Sequence, residues 1–174
     1  SYVLTGSGVL STGAISNLIA AQGIYVRLSD PTGSDFSSSY GDTPDYTFGF
    51  FNSSTGSTKV NLAATDYSLG SLVWTTTGSG TTTPTATSNA GTYAMTYASG
   101  LTVTNTSYVL LGAGAATNWI VTKAPLTVTA NNASKTYGDP NPTLTATLSG
   151  FKNGQSLGTS GVTGTGSATT TATA

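Results

Sequence analysis

The chain repeats itself, and this limits its architecture more than any other feature. It opens SYVLTGSG over 1–8, and 107–114 reads SYVLLGAG, so seven of eight positions match once the exchange of Ser7 for Ala113 is allowed. Downstream, NLIAAQGIYVRL from Asn17 is echoed by NWIVTKAPLTV from Asn118, and Tyr40-Gly41-Asp42 by Tyr137-Gly138-Asp139. FGFFNSSTGS at 48–57 then parallels LSGFKNGQS at 148–156, and TTTPTATS at 81–88 parallels ATTTATA at 168–174. The order is kept while the offset moves from 107 − 1 = 106 to 137 − 40 = 97 residues over the first pairs and is 168 − 81 = 87 for the last, as a unit of roughly 100 residues with unequal loops would give.

The division that follows is 1–23 as the end of a preceding repeat plus a linker, 24–124 as one complete repeat, and 125–174 as the front of a second, truncated repeat. Ala174 falls where the first copy continues NAGTYAMTYASGL, so the second copy is expected to lack its last strands. Ser1 does not begin a signal peptide, and the chain is expected to be a piece of something longer.

Within a unit the pattern has period two. In LTVTA, at 126–130, Leu126 and Val128 fall on one face and two threonines on the other, as a half-buried strand requires. The same reading predicts strands at 24–28, 46–51, 71–76, 82–87, 92–98, 108–111, 119–122, 126–130 and 143–148. Turns are expected at Asp30-Pro31-Thr32-Gly33, Thr55-Gly56, Gly78-Ser79-Gly80, Ser99-Gly100 and Asn153-Gly154. Gly6-Ser7-Gly8 and Gly112-Ala113-Gly114 lack the following helix of a phosphate loop and read as hairpin turns. Only AATDYSL, at 63–69, has the makings of a short helix. The expected fold is all-β, as tandem β-sandwich-like, immunoglobulin-like modules. A β-grasp-like module with one short helix is the alternative, and 63–69 discriminates between them. In NAGTYAM, Asn89, Gly91 and Tyr93 fit the corner at which a tyrosine hydroxyl reaches back to the backbone upstream, with Met95 facing the core.

Composition supports strands and removes most chemistry. Serine and threonine make up 59 of 174 residues, which with 22 glycines supplies strand-forming and turn-forming positions. Charged residues are 6% of the chain and the formal charge is −1, which gives no electrostatic reason to bind nucleic acid or an anionic membrane. No apolar run approaches the roughly 20 residues that cross a bilayer as a helix. The chain has no cysteine, histidine or glutamate, which leaves a Ser-Lys or Asp pair as conceivable catalytic machinery. None of Lys59, Lys123, Lys135 or Lys152 is singled out as buried beside a serine, so no enzyme, catalytic residue or cofactor is expected. For a metal, Asp30, Asp35, Asp42 and Asp45 are candidates to converge on calcium through carboxylate oxygens, with turn capping the competing use of the same aspartates. Trp74, Trp119 and the tyrosines fall mostly inside strand patterns, where packing is their default use and a carbohydrate face the alternative.

The stretch TKAPLTVTANNASKTYGDPNPTLTATLSGFKNGQS at 122–156, SNAGTYAMTYASGL at 88–101 and NWIVTKAPL from Asn118 resemble the MBG-type repeats typed by a Tyr-Gly motif, and the related YDG repeats, of large bacterial surface adhesins. The resemblance is strong over 100–174, looser over 37–99, and weak over 10–36. It implies a secreted, extracellular module of the bacterial cell surface and biofilm that serves as a stalk, with neighbouring repeats as its partners, and it carries over no catalytic residue. Two other uses are open at this point: a module that binds a glycan or host protein, and a subunit that donates the strand SYVL at Ser1 to another copy. The Tyr-Gly-Asp triplets read as equivalent corners. Glycine would permit a positive φ, Asp42 and Asp139 would accept from the following turn, and Tyr40 and Tyr137 would pack on the module, so substituting Gly138 is expected to unfold it.

Overall fold

The computed structural model describes residues 2–3, 20–31 and 35–172, which form eleven strands in three sheets and no α-helix. The strands are β1 Tyr2–Val3, β2 Ala21–Ser29, β3 Ser37–Ser39, β4 Thr47–Phe51, β5 Lys59–Val60, β6 Tyr67–Gly78, β7 Gly91–Val103, β8 Tyr108–Ala113, β9 Thr117–Thr122, β10 Thr127–Ala130 and β11 Ala146–Ser149. In the first sheet β2 pairs antiparallel with β1 and β4 and parallel with β8, and β4 continues to β5. The second sheet runs β3-β9-β7-β6, with β3 parallel to β9 and the other pairs antiparallel. The third is the hairpin-like pair β10-β11.

The first two sheets face each other because each has one apolar side. Ile24, Val26 and Leu28 alternate along β2, Tyr93, Met95 and Tyr97 along β7, and Trp119 and Val121 along β9, and all are buried. They form two clusters. Ile24, Val26 and Phe50 meet Tyr97 and Leu101, while Leu28 meets Tyr93, Met95, Trp119 and Val121. Trp74 packs against both. The outer side of β4 is covered locally: the Arg27 guanidinium lies 4.9 Å from the Phe51 ring centre and donates to Gly56 O at 2.7 Å. The fold is therefore the all-β sandwich.

Four local expectations are corrected. At 63–69 only a 3₁₀ turn forms, Ala64–Asp66, and Tyr67 already begins β6, which removes the helix that the β-grasp alternative needs. Asp66 stops the turn: its carboxylate accepts from Ala63 N at 2.8 Å and from Asn105 Nδ2 at 2.9 Å, fastening the turn to the β7-β8 connection. The stretch 82–87 is not a strand, since Pro84 is buried without an N–H to give a ladder and Thr85 and Ser88 bond each other in a local turn. Ser99-Gly100 lies inside β7, where Gly100 at φ +109° sits opposite a register shift in β6. Gly112 is within β8, and the chain passes from Gly114 across to β9 in the other sheet instead of turning back as a hairpin. The triplet Gly6-Ser7-Gly8 and the turn residues Thr32 and Gly33 lie outside the described residues.

The second unit repeats the start of the first in register. β2 and β4 pair Leu28 with Phe48 and Ser29 with Thr47, and β10 and β11 pair Val128 with Leu148 and Thr129 with Thr147, each partner displaced by 100 residues. Burial differs sharply. Leu28 is 2% exposed beneath β7 and β9, whereas Val128 is 54% exposed, because 122–172 contributes no buried residue and no sheet faces this pair.

Candidate functional site

The two Tyr-Gly-Asp triplets form the same turn. Asp42 N donates to Ser39 O at 2.9 Å and Asp139 N to Thr136 O at 3.1 Å, with Gly41 at φ +95° and Gly138 at φ +91° in the third position. A type II turn requires a positive φ there, which is why glycine follows tyrosine in both. The surroundings diverge. Tyr40 is half-buried against the Trp119 cluster, and its N–H donates to Thr122 O at 2.8 Å. Tyr137 is 100% exposed, so the expectation that its ring packs on the module is corrected: the second unit offers no counterpart of β7 and β9 to receive it.

The expected role of the aspartates is also corrected. Asp42 Oδ1 lies 3.2 Å from Lys152 Nζ, an ion pair with the second unit, and does not cap the following turn. At the second triplet it is the Asp139 backbone oxygen that accepts, from Lys135 Nζ at 3.1 Å. Gly138 has nothing within 4 Å of where a Cβ would stand, so a side chain there strains only its own turn. Gly41 is different, because a Cβ would come within 2.5 Å of both Lys152 Cβ and Cγ. The loop carrying that lysine is a tight turn in which Gln155 N donates to Lys152 O at 3.0 Å, with Asn153 at φ 53° and Gly154 at φ 69°. Asn153 Nδ2 reaches Ala86 O at 3.0 Å, the carbonyl that also accepts from Gly41 N at 2.9 Å. Between the units lies a cleft of about 360 Å³ lined by Tyr40, Lys123, Leu126, Phe151, Lys152 and Gln155 among others.

The calcium candidates do not converge. Asp30 Oδ2 accepts from Phe36 N at 3.1 Å, Asp35 Oδ2 from Ser37 Oγ at 3.2 Å, Asp42 faces Lys152, and Asp45 is exposed. Among the described residues no three His, Cys, Asp or Glu side chains are grouped to hold a metal. One lysine, exposed and not buried, stands beside a serine: Lys59 Nζ donates to Ser29 Oγ at 3.1 Å. The contact ties β5 to β2 across 30 residues, a separation at which no local pattern signals it.

At the same end of the second sheet, where Asn89 also lines the cleft, Tyr93 Oη donates to Asn89 O at 2.7 Å while its ring is buried. Gly91 lies against Ser79, whose Oγ accepts from Thr92 N at 2.9 Å and would stand 2.1 Å from an added Cβ. Tyr93→Phe removes the hydroxyl and leaves the Asn89 carbonyl short of a donor. The expected loss is about 1–2 kcal/mol of unfolding free energy with the fold intact, measured by urea titration. Tyr46 stands edge-on to Trp119, with ring centres 5.3 Å apart, and donates to Pro84 O at 3.1 Å. Burial raises its pKa above the ordinary 10.0. The unfolded chain therefore gives up this proton first, so the contribution of Tyr46 is intact below about pH 10 and is lost as pH rises through the raised folded value. In melting curves taken on both sides of pH 10, Tyr46→Phe should show a smaller alkaline loss than the unaltered chain.

The family model of the MBG domain, YGX type, matches residues 126–174. No curated protein and no solved structure matches the chain.

Proposed function

Starting from an MBG-type segment of the YGX kind at 126–174, we propose that the chain is a stalk of tandem repeats from an adhesin displayed outside a bacterial cell, and that it acts as a non-catalytic spacer. The observation that carries this reading is the hairpin repeated in one register at a spacing of 100 residues, with a sandwich built on its first copy. Length in such an array comes from copy number, since each unit contacts chiefly its neighbours. Neighbouring repeats of the same chain are its partners. The linker Lys123-Ala124-Pro125 between β9 and β10 is short, and Pro125 fixes its own φ and restrains Ala124.

The aromatic side chains favour packing over ligand contact. Trp119, Tyr93 and Tyr97 are buried, Trp74, Tyr67 and Tyr108 are partly so, and Tyr137 stands alone as a fully exposed aromatic among the described residues. Tyr2 and Val3 pair with Gln22 and Ala21 of their own chain, which uses locally the strand that donation to another copy would need. The test is length against copy number. Small-angle scattering on proteins carrying two, three and four units should show a maximum dimension that grows by a constant increment per unit. A dimension that levels off would refute the spacer, and specific retention on a glycan array would replace it with the adhesive reading. Antibody against the chain should label intact, unpermeabilised cells.

A further inference from the structure

We propose that the Tyr-Gly-Asp turn of one unit is the socket for the Lys-Asn-Gly loop of the unit that follows, and that this contact fixes the angle between them. The proposal rests on the tandem-repeat reading above and deepens it by naming the joint.

The filled socket is seen at Tyr40-Gly41-Asp42. The Lys152 stem lies across Gly41 so closely that no side chain fits beneath it, its ammonium meets Asp42 at 3.2 Å, and Asn153 bonds Ala86 O at 3.0 Å. The two charged side chains are 42% and 54% exposed, so solvent screens their attraction and the pair by itself orients little. Position comes from the stem on the glycine and from the amide on a carbonyl already held by Gly41 N. This gives the glycine two independent reasons: the positive φ of the turn, and the absent Cβ that seats the lysine. The backbone reversal at Asn153 and Gly154, both at positive φ, presents Lys152 and Asn153 together to the socket.

The second copy of the turn has the same hydrogen bond and the same glycine conformation, but its glycine is uncovered: Tyr137 and Asp139 are exposed, Lys135 Nζ reaches the Asp139 backbone oxygen, and the space over Gly138 is clear to 4 Å. Its acidic residue and bare glycine suit the same occupant, a lysine-bearing Lys-Asn-Gly loop from a following unit.

The chain has no cysteine, so two introduced ones can carry spin labels at unique positions. With labels at Thr77→Cys in β6 and Thr129→Cys in β10, pulsed electron resonance should give one narrow distance distribution in the otherwise unaltered chain. Lys152→Ala and Gly41→Val should each abolish the single distance, and Asp139→Asn should leave it in place. The melting temperature of the sandwich should be unchanged in Lys152→Ala, since Lys152 lies outside both core clusters. A broad distribution in the unaltered chain, or a narrow one in Lys152→Ala, would overturn the joint. Such a result leaves the spacer reading standing on the scattering experiment, where a loosely jointed array still lengthens with copy number.

Discussion

Replacing Trp119 by alanine is expected to cost the sandwich about 3–5 kcal/mol, the range for truncating a fully buried large aromatic. Trp119 is 0% exposed, packs among Leu28, Tyr93, Met95 and Val121, receives the edge of Tyr46, and donates its indole N–H to Ser38 Oγ at 3.0 Å. The truncation therefore opens a cavity between the sheets and also removes one of the bonds between β3 and β9, beside their backbone ladder. Against a total stability of roughly 5–15 kcal/mol for a domain of this kind, the loss leaves little margin. Urea unfolding followed by far-UV circular dichroism measures it, with Trp74, which packs against both clusters, retained as a fluorescent reporter. A change under about 1 kcal/mol would mean that the sheets close over the gap and that Trp119 does not hold them together.

Gly100→Val should have an effect of similar size for a different reason. Gly100 has φ +109°, and a Cβ there would stand 2.2 Å from Ser71 O and 2.8 Å from Leu72 Cα. Both obstacles are backbone of the neighbouring strand, so no side-chain rotation relieves them. Adding the strain of a positive φ, about 1–3 kcal/mol, to that of overpacking, about 1–3 kcal/mol, gives an expected loss of roughly 2–6 kcal/mol. Hydrogen exchange should locate the damage in the β6-β7 ladder on either side of the bulge. Gly138→Val is the matched control: it carries the positive φ without the collision, in a segment with no buried residue, and should leave the sandwich melting temperature where it was. Equal losses in the two variants would show that backbone conformation alone, and not close approach, sets the cost at Gly100.

What the sequence made legible was whatever is written in neighbouring residues. Alternation in IYVRL and NWIVT marks one face of β2 and β9 as apolar, and this is enough to specify an all-β sandwich. Position 63–69 misled because Ala-Ala-Thr-Asp has modest helical preference, while the Asp66 carboxylate folds back onto Ala63 N and ends the turn at once. Position 82–87 misled because its threonines carry strand propensity that Pro84 and the Thr85 to Ser88 turn override. In the sequence Gly100 looks like a turn at the end of a strand, because a glycine at a bulge and a glycine at a turn are alike in one dimension. The site was legible only in part. Glycine between tyrosine and aspartate marks the turn, but Lys152 is 110 residues from Asp42 in sequence, and nothing local announces that it will lie across Gly41.

The parallel pairings have a mechanical consequence. β2, with which the sandwich proper begins, lies parallel to β8, and β9, with which it ends, lies parallel to β3. Tension along the chain draws β2 toward its own start and β9 toward its own end, so each slides lengthwise past its parallel neighbour. Hydrogen bonds loaded in this shearing direction share the force and must rupture together, whereas a pair pulled open from one end gives way bond by bond. Resistance to a brief pull is set by the rate of unfolding and not by the free energy of the folded state. A tether made of such units would hold under flow through the order in which its strands are joined, even where its equilibrium stability is ordinary.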